Sequence, residues 1–218
     1  MTTLPDTLRT AIEQDLRPVR PLAAPAVRVW WMVPFAVLLL LLSAAAFGLR
    51  VDAPAVGPAL TWGASVVQMC AGIFVMWAAL RESVPGTTLS RRFAGTIFGT
   101  ALVVLIGITW ITWLASPTTI RPEAVLHVWR ICVAGPLLMA LPAFAVAGLL
   151  VTRAFPLRPP LAGALYGLGV GLMSDAGWRL FCHFSDPVHV FGAHTLAVGL
   201  LCTAGSLAAR IASRQTAG

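Results

Sequence analysis

Residues 30–49 read WWMVPFAVLLLLLSAAAFGL, twenty positions with one hydroxyl and no charge. At a rise of about 1.5 Å per residue this run is about 30 Å long as a helix, matching the hydrocarbon core of a bilayer. Lipid offers no partner to backbone N–H and C=O groups, so a run of this kind is expected to be helical. Working outward, five more stretches share its character, at 59–80, 93–115, 131–152, 160–182 and 189–209. The 160–182 stretch carries Asp175 and Arg179 in its C-terminal half. Four residues apart, they share a helix face and are expected to pair, with Arg179 close enough to one end to snorkel. The expected fold is an all-α membrane protein, a six-transmembrane-helix bundle with both termini in the cytoplasm.

Composition agrees. The 218 residues are 58% hydrophobic and only 11% charged, with a mean hydropathy of +0.86. A soluble domain carries about a quarter charged residues, so this chain lacks the charges to cover a water-facing surface. The net charge is +7, from 15 basic residues that are all arginine against eight acidic ones. A nucleic-acid binder would gather such an excess on one face. Here the arginines sit between apolar runs, and no direct nucleic-acid contact is expected. Eleven fall in the segments 1–28, 81–92, 153–158 and 210–214; Arg50, Arg121, Arg130 and Arg179 fall on the other side. The positive-inside rule puts the larger group in the cytoplasm. The chain then divides into a cytoplasmic segment 1–28, a transmembrane domain 29–211 and a short tail 212–218. The first run could be mistaken for a signal-peptide core, but the residues before it are too many for an n-region.

Within 1–28, Thr3 and Asp6 have capping-box spacing and Pro5 sits in the first turn. Leu4, Leu8, Ile12 and Leu16 then recur every four residues, giving one apolar face, and Pro18 ends the helix. A helix of about 13 residues is marginal alone in water, so its stripe needs a surface to cover. A docking helix for a cytoplasmic protein and a helix lying on the membrane both satisfy that need.

Cys70 and Cys202 lie mid-span, where cysteine serves as a small apolar packing residue. Cys132 begins the fourth span and Cys182 ends the fifth, so the topology brings both to the periplasmic boundary, a compartment that permits disulfides. His127, His183, His189 and His194 fall on the same side. Cys182 with His183, His189 and His194 has the ingredients of a soft-metal site, though the spacing matches no zinc signature. A reactive pair, a static disulfide and plain packing all remain open.

Gly163, Gly167 and Gly171 form a small-residue ridge along the fifth span. Such a ridge lets another helix approach closely, either within the chain or in a homodimer. Pro136 and Pro142 could kink the fourth span. There is no phosphate loop, no nucleophile–base set and no acidic residue near a midplane, so neither an enzyme nor a cofactor is expected. Two rival classes stay in view. A membrane thiol oxidoreductase would want a close Cys-x-x-Cys pair or a quinone site, and a small metal or solute transporter would want midplane charges.

Four stretches carry a family likeness: Asp15-Leu16-Arg17-Pro18-Val19-Arg20-Pro21-Leu22 with Arg28; Ser83-Val84-Pro85-Gly86; Trp129-Arg130-Ile131-Cys132; and the block from Pro160 to His194, with Phe181-Cys182 and Ser185-Asp186-Pro187. In these the chain resembles the NrsF family of polytopic inner-membrane anti-sigma factors. The resemblance implies a bacterial inner-membrane regulator whose N-terminal segment holds an extracytoplasmic-function sigma factor, around Leu8 to Arg20 and including Arg17. It implies that Cys132 and Cys182 are the sensors that release it under oxidative or metal stress. One departure stands out: the family often reads His-Cys-Pro at the second cysteine, where this chain has Phe181-Cys182-His183.

Overall fold

The computed structural model describes residues 5–15 and 21–215. Leu4, Leu16, Arg17 and Arg20, four of the expected partner-binding residues, lie outside the described residues, as do the Thr3 cap and Pro18. Within the described residues every regular element is helical. A short helix α1 runs Asp6–Asp15, just after Pro5. Six long helices follow: α2 (Pro25–Phe47), α3 (Ala59–Glu82), α4 (Arg91–Ala115), α5 (Pro122–Thr152), α6 (Pro159–Trp178) and α7 (Pro187–Gln215).

Local sequence sets the ends. Pro25, Pro122, Pro159 and Pro187 stand in first turns, where a missing N–H costs nothing. Ser90 caps α4 by accepting from the Phe93 N–H at 3.1 Å. Gly48, at φ 81°, closes α2 in a conformation that side-chain-bearing residues avoid.

Five of these helices, α2, α3, α4, α5 and α7, are long and apolar enough to cross a membrane. The sequence reading counts six, and the difference is α6. It has twenty residues, sixteen of them buried, and it packs against α7, α3, α5 and α2. Enclosed by other helices, it needs no lipid-facing surface and tolerates five glycines and Asp175.

The glycines let α6 serve as the axis. A Cβ on Gly163 would collide with the Gly205 carbonyl, one on Gly167 with Leu201, and one on Gly171 would press on Val198. The ridge therefore faces α7 of the same chain. A homodimer through Gly163, Gly167 and Gly171 would first have to displace α7. On other sides Gly169 meets Gly72 of α3, and Gly177 meets Leu39 of α2. Pro136 and Pro142 lie within a single continuous α5, and the Ser174 hydroxyl donates to the Pro136 carbonyl at 2.6 Å.

Candidate functional site

Both ends of α6 carry buried charge. At the first end, Glu82 closes α3 with its carboxylate fully enclosed. Arg158 approaches it through Nε and Nη2, each 2.7 Å from a carboxylate oxygen, and the Leu89 N–H donates to Glu82 Oε2 at 2.7 Å. Arg158 also donates to the Leu89 carbonyl at 2.6 Å. Ser83 and Gly86 form the tight turn that makes this possible: Ser83 Oγ donates to Leu80 O at 2.7 Å, and Gly86 has φ 87°. Nearby, buried Arg28 of α2 donates to the Leu150 carbonyl of α5.

At the other end, α6 stops at Trp178 and the chain turns through Cys182, whose N–H donates to Trp178 O at 2.9 Å. Arg50 and Thr118 hold this loop from two sides. The Arg50 N–H donates to Leu180 O at 2.7 Å, while its guanidinium reaches Ser185 Oγ at 2.8 Å and pairs with Asp52 through Nε at 2.5 Å. Thr118 Oγ1 donates to the His183 carbonyl at 2.7 Å and accepts from the Ser185 N–H at 2.8 Å. Asp186 then caps α7, accepting from the Val188 N–H at 3.3 Å.

The first turns of α7 are not regular α-helix: Val190–His194 is a π-helical turn. In an α-helix residues five apart point about 140° away from one another. The i→i+5 bonding of a π-turn brings them together instead, and the His189 and His194 ring centroids stand 5.2 Å apart. Trp129 of α5 lies over Gly192, where a Cβ would collide with its indole, and meets the His189 ring edge-on.

Cys132 lies ten residues into α5 rather than at its start, because α5 extends back to Pro122. Its sulfur stands 3.6 Å from that of Cys182. Cys182 Sγ is 3.5 Å from His189 Nε2, and the ligating atoms of Cys132, Cys182, His189 and His194 all lie within 4.8 Å of one another. All four residues are buried. His183 stays outside this group, with its ring against Phe184 at 4.0 Å. Burial lowers its pKa and Arg50 adds to the effect, while Asp52 opposes it. Cys70 is exposed and Cys202 half-buried, both away from the pair.

Beneath the thiols, Asp175 is fully buried and accepts from three sides: Arg179 Nε at 3.0 Å, Gln68 Nε2 at 2.7 Å and His194 Nδ1 at 2.6 Å. The Asp175–Arg179 pair is present, but Arg179 does not snorkel. Its side chain is 10% exposed and turns inward to donate to Thr109 Oγ1 of α4 at 3.2 Å. Sequence reasoning missed Gln68, Thr109 and the Asp175–His194 contact. Gln68 and Thr109 sit in otherwise apolar spans, where a buried polar side chain implies a partner without naming it.

The family model for NrsF, negative regulator of sigma F, matches residues 13–214. The chain belongs to the NrsF family. Membership makes it a negative regulator of sigma F, with a sigma factor as its partner. No match is found among curated proteins or among solved structures. Of the segment that the NrsF resemblance puts at the sigma factor, Leu8 lies on α1 with its side chain exposed, and Ile12 lies on the same helix.

Proposed function

We propose that the chain is an anti-sigma factor of the bacterial inner membrane. It has six spans and both termini inside, and it sequesters an extracytoplasmic-function sigma factor through residues 1–28. Leu4, Leu8, Ile12 and Leu16 supply the apolar contact face, and Arg17 and Arg20 supply charge for it. Cys132 and Cys182, on the periplasmic side, decide when the sigma factor is released. The observation that carries this reading is the pair of thiols: 50 residues apart in sequence, they meet at 3.6 Å in a chain whose family regulates a sigma factor.

A peroxide is a sufficient oxidant. One thiolate attacks the O–O bond, leaving a sulfenic acid and releasing water or an alcohol. The second thiol then displaces water, and two thiols have become one disulfide with two electrons passed to the peroxide. The sulfurs must close from 3.6 Å to about 2.05 Å, which draws α5 towards the end of α6. Because α6 is enclosed along its length, it moves as a rod, and its far end carries Arg158 against Glu82 and the α3–α4 turn. That turn and the N-terminal segment share the cytoplasmic side of the proposed topology.

Co-purification from bacterial membranes tests both halves. The full chain should retain a sigma factor, and a chain lacking residues 1–20 should not. A Cys182→Ser chain should retain it before and after peroxide. Retention by the truncated chain would sink the binding half, and normal release from Cys182→Ser would sink the sensing half.

A further inference from the structure

Disulfide chemistry needs only the two thiols of the four clustered groups, and leaves the two imidazoles unexplained. His194 Nε2 is buried and has no hydrogen-bond partner among the described residues, although Nδ1 of the same ring is held by Asp175 at 2.6 Å. With Nδ1–H donating to the carboxylate, the neutral ring keeps its lone pair on Nε2, at the cluster. This is the carboxylate–histidine arrangement that orients metal ligands. Packing sets the other imidazole: His189 lies between the rings of Trp129, Phe184 and His194.

We propose that Cys132, Cys182, His189 and His194 hold one zinc ion when the two thiols are reduced. The proposal rests on the reading of Cys132 and Cys182 as a reduced pair at rest. The spacing suits the ion. Zinc bonds of about 2.3 Å to sulfur and about 2.0–2.1 Å to nitrogen, at tetrahedral angles, set two sulfurs about 3.8 Å apart and a sulfur and nitrogen about 3.5 Å apart. The structure has 3.6 Å between the sulfurs and 3.5 Å from Cys182 Sγ to His189 Nε2. Charge suits it too. Two thiolates neutralise a divalent cation, and Arg179 already balances Asp175, so the buried site carries no net charge. Access exists through an apolar pocket of 90 Å³ lined by Val128, Ile131, Phe181 and Phe184 together with both cysteines. The zinc signature is hidden in sequence because the ligands come from α5, the loop after α6 and a π-turn, rather than from one short motif.

The full chain, purified in detergent under reducing conditions and stripped with a chelator, should take up one equivalent of Zn²⁺. With Co²⁺ as probe it should show thiolate-to-cobalt charge-transfer bands and the visible bands of a tetrahedral ion. His194→Ala and Cys182→Ser should abolish that spectrum, and His183→Ala should preserve it. Asp175→Asn should weaken affinity about 10–100-fold. Undiminished binding by His189→Ala and His194→Ala would overturn the proposal. If those variants fail to fold, the wild-type chain still decides. Zn²⁺ should slow alkylation of Cys132 and Cys182 by N-ethylmaleimide while leaving Cys70 unaffected, and equal labelling with and without Zn²⁺ would overturn it. Sigma-factor retention is read in the same preparations. Zinc binding without retention would leave this site standing and sink the anti-sigma reading; retention without zinc binding would do the reverse.

Discussion

At one end of α6 the buried carboxylate of Glu82 has both oxygens taken, by a two-pronged Arg158 and a backbone N–H. At the other end Asp175 is equally buried, but its partners pass the polarity onward: His194 leaves one nitrogen with no partner among the described residues, facing two thiols. The first arrangement is closed and can only be held or broken. The second stays chemically open, because thiols and an imidazole lone pair accept oxidant or metal. Buried polar groups in one helix bundle can therefore serve fastening at one pole and chemistry at the other. The distinction is visible in which atoms lack partners.

Substitutions should separate the two roles. The largest loss is expected for Asp175→Leu, about 3–5 kcal/mol, because Arg179 stays buried with no counter-charge. Thermal unfolding in detergent micelles measures it, and a loss below about 1 kcal/mol would mean the network relaxes freely. Arg158→Ala should cost about 3 kcal/mol, the low end for a broken buried pair, since 36% of its side chain is exposed. Replacing both members, Glu82→Leu with Arg158→Met, should recover most of that stability. Failure to recover would show that this end does more than fasten.

A smaller effect separates stability from response. Cys132→Ala with Cys182→Ala should cost about 1 kcal/mol per site by the same unfolding measurement, yet remove all response to peroxide. The smallest effect concerns the loop that carries Cys182. Burial works to raise the Asp52 pKa, but the hydrogen bonds and charge of Arg50 outweigh it, so the folded value lies below the ordinary one. Its contribution is thus complete above the unfolded value of about 4 and is lost as pH falls through the lower folded value. Amide protection at residues 180–186, taken relative to the intrinsic exchange rate at each pH, should fall only in that acid range, and a loss of protection already near neutral pH would point to another group.

The apolar runs were legible because lipid imposes one requirement on every residue of a span. The rank of α6 was not. Its hydropathy reads as a weaker span, while its twenty residues form the axis, a fact that depends on which helices surround it. The glycine ridge announced a close contact without naming α7 as the partner. The meeting of Cys132 with Cys182 followed from topology, since both were expected at one edge. His194 could not be placed beside them by helical periodicity, because five-residue spacing points the wrong way around an α-helix. Glu82 and Gln68 drew no attention in sequence because their partners lie on elements distant along the chain.

The π-turn at Val190–His194 bears on how this site tolerates change. Such a turn holds one residue more than the α-helical turn it replaces, so α7 contains the equivalent of a single-residue insertion. Deleting Ala193 would let α7 relax to regular helix with the two histidines four positions apart, still on one helix face. The spans, their apolarity and the glycine contacts would all survive. A five-residue spacing through a π-turn and a four-residue spacing in regular helix therefore both bring two imidazoles to one face. The presence of the two histidines on that face, more than the chain length between Asp186 and Thr195, is thus the marker of the four-residue cluster.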